Sequence, residues 1–351
     1  KYFKWRYKNH YKTYIKENNN SYYTSTMKIN ERTYYIHFCI DNHLYSTIQP
    51  RLTEYLQYIY TWLNVAHSYA SESCSLTMNI YFYFTDLKKT LPSIKTNVIT
   101  REHANTAFTT SCQIKTEINI YRYEEWFKVF IHETFHNMGM DFSGFDNTTA
   151  NKLINMIFPV NTDVCLYEAY TETFAELFNI LHIACFNNDM ETPSNIINNA
   201  TTMLQLETRF SLFQVSKIMN HYNLKYTDLF SLSEISCNKR DTLYKEETAI
   251  LSYYVIKSIL LYNINDFIIW CQKHNEGSIN FSHPERTHNI IDNKIQQFCS
   301  FIENKHDDIG FIKVFNEFDT EIQKQLVNTK KKDEVFDYTM TTLQMTIFPK
   351  V

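Results

Sequence analysis

The sequence predicts an α+β fold, a small mixed α/β N-terminal lobe followed by a larger, mainly helical C-terminal lobe. Three observations carry this. Segments with strand character fall within the first 121 residues, and helical periodicity dominates beyond Phe145. The chain also holds only 4 glycines and 6 prolines in 351 residues. An average soluble chain of this length carries about 25 glycines. That scarcity argues against turn-rich sandwiches and propellers. It also removes every glycine-rich phosphate loop, because Gly139, Gly144, Gly277 and Gly310 spell neither GxGxxG nor GxxxxGK[ST].

The elements follow in order. Residues 1–28 open with KYFKWRYKNHYKTYIK, a basic aromatic stretch expected to form a solvated arm, and a polar patch covers Asn18 to Ser25. The α/β lobe spans 29–142. TYYIHFCI (Thr33 to Ile40) and LTMNIYFYFT (Leu76 to Thr85) read as strands. Between them, Arg51 to Ala70 places Leu52, Leu56, Ile59, Leu63 and Ala66 at helical spacing. A loop is expected from Asp86 to about Thr110, then an edge strand at Cys112 to Tyr121. Glu124 to Met138 reads as a helix with acidic residues in its first turn and Gly139 just past its end, as a left-handed cap. The helical lobe, 143–351, is expected to contain Val164–Phe186, Pro193–Tyr222, Tyr244–Tyr262, Asp266–His274 and Asn289–Asn304 as helices.

Composition sets further bounds. A hydrophobic content of 44%, with 26 Tyr and 26 Phe, describes a chain with enough apolar surface to fold. The net charge of −4 makes no case for a nucleic-acid partner. Eight cysteines without a CxxC pair suggest buried free thiols rather than a disulfide framework or a zinc ribbon. The apolar run Ala249 to Trp270 is interrupted by Lys257, Asn263, Asn265 and Asp266, so it reads as core helix rather than membrane span. Compartment and oligomeric state are left open by the sequence.

The chemistry is concentrated in His132-Glu133-Thr134-Phe135-His136, an HExxH. Residues four apart on a helix lie nearly above one another, so both imidazoles face one side and can bind one ion. Glu133, about 100° round the helix, is placed to take a proton from a water activated by that ion. A catalytic zinc needs a third protein ligand. In the pattern HExxHxxGxxH/D it would stand at 142, but that residue is Phe142, and Asp141 comes one position early. The alternative is a glutamate on a second helix. YEAYTETFAELFNILH (Tyr167 to His182) carries Glu168, Glu172 and Glu176 at i, i+4 and i+8.

These two segments resemble the gluzincin branch of zinc metallopeptidases. VFIHETFHNM (Val129 to Met138) is similar to its apolar-flanked first motif, and TETFAE (Thr171 to Glu176) to its second, xExxAE. The resemblance implies a zincin-like fold with Zn2+ held by His132, His136 and Glu172. It implies Glu133 as general base and acid in peptide-bond hydrolysis, and Glu176 as the carboxylate that orients the ligand. Thr171 and Thr173 replace the family's usual Asn and Gly, which keeps Glu168 as a rival ligand. The implied partner is a peptide or protein substrate. Candidates for stabilising the oxyanion are Tyr253, Tyr254, His182 and His221. The AT-rich composition further resembles that of large DNA viruses. A second expectation, from a different class, is a catalytically silent zincin-like protein with a structural or binding role.

Overall fold

A computed structural model describes residues 20–186, 192–283, 287–328 and 334–349. The expected arm therefore lies largely outside the described residues. From Asn20 onward the chain is strand rather than arm. The chain divides into two compact units, residues 1–88 with 106–140 and 349–351, and residues 89–105 with 141–348. The division between the lobes falls two residues from the expected 142/143 boundary. Segment 89–105 belongs to the helical unit because its backbone is bonded there. The Leu91 and Thr96 N–H groups donate to the carbonyls of Thr341 and His221.

Among the described residues, the first unit is a five-stranded mixed sheet with three helices. In chain order these are β1 (Asn20–Ile29), β2 (Arg32–Asp41), α1 (Asn42–Ile48), α2 (Leu52–Tyr69), β3 (Thr77–Phe84), β4 (Ala107–Thr109), β5 (Lys115–Ile120) and α3 (Trp126–Asn137). The strand order is β1-β2-β3-β5-β4. The β1–β2 and β4–β5 pairs are antiparallel, and β2–β3–β5 is parallel. β5 is therefore not the edge strand the sequence suggested. The three-residue β4, inside the expected loop, pairs along its outer side.

Side-chain alternation decides which face is core. In β3, Met78, Ile80, Phe82 and Phe84 are buried while their neighbours are half-buried. On α2 the buried set Tyr55, Tyr58, Ile59, Trp62, Leu63 and Ala66 follows the 3.6-residue period. α3 is buried along its whole length. Trp126 packs edge-on against Phe82, 5.3 Å between centroids, and lies 4.8 Å from Tyr55; Phe135 stacks on Trp62. One cysteine expectation is corrected here. Cys74 and Cys112 form a disulfide, whereas Cys39, Cys165, Cys185, Cys237, Cys271 and Cys299 are free.

The second unit is helical: α4 (Thr148–Ile157), α5 (Leu166–Phe186), α6 (Pro193–His221), α7 (Glu234–Leu243), α8 (Lys257–Tyr262), α9 (Ile264–His274), α10 (His288–Glu303), α11 (Ile309–Asn328) and α12 (Glu334–Thr341). A π-helical turn, Leu251–Ile256, leads directly into α8, so the helix expected from Tyr244 begins later. No described helix is long and apolar enough to cross a membrane.

At the head of the π turn sits Glu246. Its carboxylate accepts hydrogen bonds from the Thr162 and Tyr244 hydroxyls and from the Leu251 N–H. Burial nevertheless pushes the Glu246 carboxyl up to about 7. A pKa raised on folding contributes stability below the unfolded value that is lost as pH rises through the folded one. Glu246→Gln removes that titration. The urea midpoint of the variant is thus expected to gain on wild type between pH 4.5 and pH 7.5. A difference that stays constant with pH would contradict the assignment.

Candidate metal centre

α3 starts at Trp126 because Glu125 stands before it with φ 60°, in the left-handed region. Glu124 and Glu125 therefore precede the first turn instead of occupying it as expected. From there WFKVFIHETFHN is apolar enough to be sheathed on all sides. His132, Glu133 and His136 are all buried, at 6%, 8% and 8% exposure.

The two imidazoles converge. Their Nε2 atoms are 3.0 Å apart and their rings are inclined at 79°. A tetrahedral ion with ligands at about 2.1 Å holds its donors about 3.4 Å apart, so a small ring adjustment admits one. Glu133 lies between them in sequence and on a different face of the helix.

The C-terminal end of α3 is fixed in three ways. Gly139 adopts φ +65°. Its N–H donates to the His136 carbonyl, and the Met140 N–H to the Phe135 carbonyl, which together make a Schellman cap. The expected left-handed cap is therefore present. Asn137, the last helical residue, is held by its side chain: Oδ1 accepts from the Ser75 and Thr116 hydroxyls, and Nδ2 donates to Thr109 Oγ1. The disulfide-bearing loop closes over the glycine. A Cβ on Gly139 would stand 3.1 Å from Cys74 Sγ and 3.4 Å from Cys112 Cβ. Nothing in the sequence pattern announced Ser75, Thr116 or Asn137 as the anchor of this helix.

In the helical unit, α5 carries the acidic stripe. It is not a solvated face. Glu172 and Glu176 are buried at 1% and 0% exposure, and Glu168, in the first turn, is half-buried. Glu176 forms an ion pair with the buried Lys257, 3.1 Å apart. Asp141 accepts from the Ser143 N–H and hydroxyl and from the Thr171 hydroxyl. Phe142 is core, packed 4.3 Å from the Phe281 ring.

The oxyanion candidates also lie in this unit, and three have structural roles. Tyr254 donates its hydroxyl to the Leu343 carbonyl. His221 Nε2 faces the Asn97 carbonyl at 2.9 Å, the position for an N–H donor, and burial lowers its pKa. His182 stacks on Phe186, and burial lowers it to about 3, so it is neutral at physiological pH. Tyr253 is buried within the π turn.

No protein-family model matches the chain, and neither a curated protein nor a solved structure is significantly similar to it.

Proposed function

We propose that the protein is a zinc-dependent peptide hydrolase in which His132 and His136 hold the ion with a carboxylate of α5. The observation that carries the reading is the convergence of two buried imidazole Nε2 atoms on one face of a helix that also bears Glu133. Glu168 is the carboxylate this reading takes. It is half-buried in the first turn of α5, whereas Glu172 and Glu176 are closed off at 1% and 0% exposure. Two imidazole nitrogens and a carboxylate oxygen form a donor set suited to zinc.

Bound there, a zinc ion supplies Lewis-acid polarisation of a peptide carbonyl and eases deprotonation of water. The chain's own part is positional and acid–base. The Schellman cap and the Asn137 anchor fix the rotation of α3, and with it the direction of both imidazoles. Glu133 receives the proton of the attacking water on a carboxylate oxygen and returns it to the leaving amine nitrogen. Its low exposure leaves few waters to compete for that proton.

Zinc titration against a competing chelator tests the ligand set. Glu168→Ala is expected to weaken zinc binding more than about 100-fold, beyond what is lost with a group that only orients a ligand. Glu172→Ala, if it folds, is expected to retain zinc. Loss in the second and retention in the first would transfer the ligand to Glu172. Unchanged affinity in both would remove α5 from the site.

A further inference from the structure

The last part of the helical unit is bound in an unusual manner. After α12 the segment Thr342–Thr346 runs through the interior, buried at every residue. It enters through an isolated antiparallel bridge between Thr342 and Thr90, with the Leu343 N–H donating to the Lys89 carbonyl, and then leaves backbone pairing for side chains. Four consecutive carbonyls each accept a hydrogen bond from a different buried side chain. Lys217 Nζ donates to Thr342 at 2.6 Å, Tyr254 Oη to Leu343 at 2.6 Å, Gln214 Nε2 to Gln344 at 2.6 Å, and Lys257 Nζ to Met345 at 2.9 Å. Glu207 Oε2 then accepts from the Thr346 hydroxyl, 2.7 Å, and from the Ile347 N–H, 3.1 Å. Phe348 packs on a cluster of Ile180, Ala184 and Ala200.

The side chains that read this backbone come from two helical faces. Glu207, Gln214 and Lys217 lie on α6 at spacings of seven and three. Tyr254 and Lys257 lie three apart on the π turn and the start of α8. These are costly groups to bury in a core that needs only to be apolar. Burial drives the Lys217 amine down to about 7, and burial together with the charge of Glu176 drives the Glu207 carboxyl well up. Main-chain hydrogen bonds to consecutive residues, with side-chain pockets at a few positions, are how proteins hold extended peptide ligands.

We infer that the groove lined by α6 and the 251–262 helix is a peptide-binding site, and that Thr342–Phe348 is its resident ligand in cis. The groove accepts an extended segment through its backbone and selects a hydroxyl at the position of Thr346 and an apolar ring at that of Phe348. A peptide of the same pattern supplied in trans exchanges with the resident one. This inference is independent of the metal centre.

The test begins from the folded full chain. A protease recognition sequence is inserted after Lys330, and the purified protein is cleaved there. The freed C-terminal fragment is expected to co-elute with the remainder. A fluorescein-labelled peptide of residues 334–351 is expected to replace it saturably, measured by anisotropy, without change in circular dichroism. Thr346→Val in the peptide is expected to weaken competition by about tenfold, as loss of a hydrogen bond to a buried acidic group implies. Phe348→Ala is expected to weaken it comparably. Three results overturn the inference: a fragment that never exchanges, a remainder that unfolds when the fragment leaves, or equal competition by the Thr346→Val peptide.

Discussion

Glu133→Gln is expected to lower peptide hydrolysis by about 10²- to 10⁴-fold, the usual contribution of a positioned general base, while leaving zinc content unchanged. The substitution keeps the shape of the side chain and removes only its capacity to take a proton. Because Glu133 is buried at 8% exposure within a helix buried along its length, an isosteric replacement disturbs the packing least. In the proposed site the metal-binding role falls to the two histidines, whose Nε2 atoms are 3.0 Å apart. The account therefore requires the two properties to separate, with zinc retained and turnover lost. Hydrolysis of a quenched fluorescent peptide library, followed beside zinc analysis of the same preparation, measures both. Full activity in the glutamine variant would remove Glu133 from the chemistry. Loss of zinc along with activity would make it a ligand instead.

The second large effect is structural. Gly139→Val is expected to destabilise the protein by about 3 kcal/mol, at the upper end for a single substitution. Two costs combine. A non-glycine residue in the left-handed region costs about 1–2 kcal/mol, and a β-branched one more. The new Cβ must also find room 3.1 Å from Cys74 Sγ, 3.3 Å from Ser71 Oγ and 3.4 Å from Cys112 Cβ. A disulfide cannot rotate aside as a free side chain can. Gly139→Ala is expected to cost less, and the valine penalty to shrink when Cys74 and Cys112 are both serine, since adjacent residues couple. Urea denaturation of wild type, Gly139→Val, Cys74→Ser/Cys112→Ser and the combined variant gives the cycle. Strict additivity would contradict the contact between glycine and disulfide. The disulfide itself closes a loop with a sequence separation of 38, for which chain entropy allows about 4 kcal/mol.

Much of this was legible where a buried face repeats with a clear period. β2, β3, α2 and α3 lie where alternation or helical spacing put them, and Gly139 caps the helix that bears the HExxH. Gly144 is different, for a Cβ there would meet nothing within 4 Å. β1 escaped because it is an edge strand whose residues 21–28 alternate between half-buried and exposed, so polar and aromatic residues blur its pattern. β4 is only three residues long and has no period to detect.

The electrostatic interior was illegible for another reason. Glu176, Glu207 and Lys257 are far apart in sequence, and no spacing pattern links them. Only the fold joins Glu176 to Lys257, and Lys257 in turn to the Met345 carbonyl. Tyr254 is a candidate oxyanion donor by residue type alone, and the structure directs its hydroxyl to the Leu343 carbonyl. The Cys74–Cys112 pair carries no spacing motif and follows from the approach of two loops around Gly139.

The most direct test of the central claim is elemental analysis of the purified chain beside His132→Ala/His136→Ala. The account predicts one zinc per chain in the wild type, acquired on purification or on titration, and none in the double variant. A wild-type protein that neither contains zinc nor takes it up, or a double variant that binds as well as wild type, would contradict it.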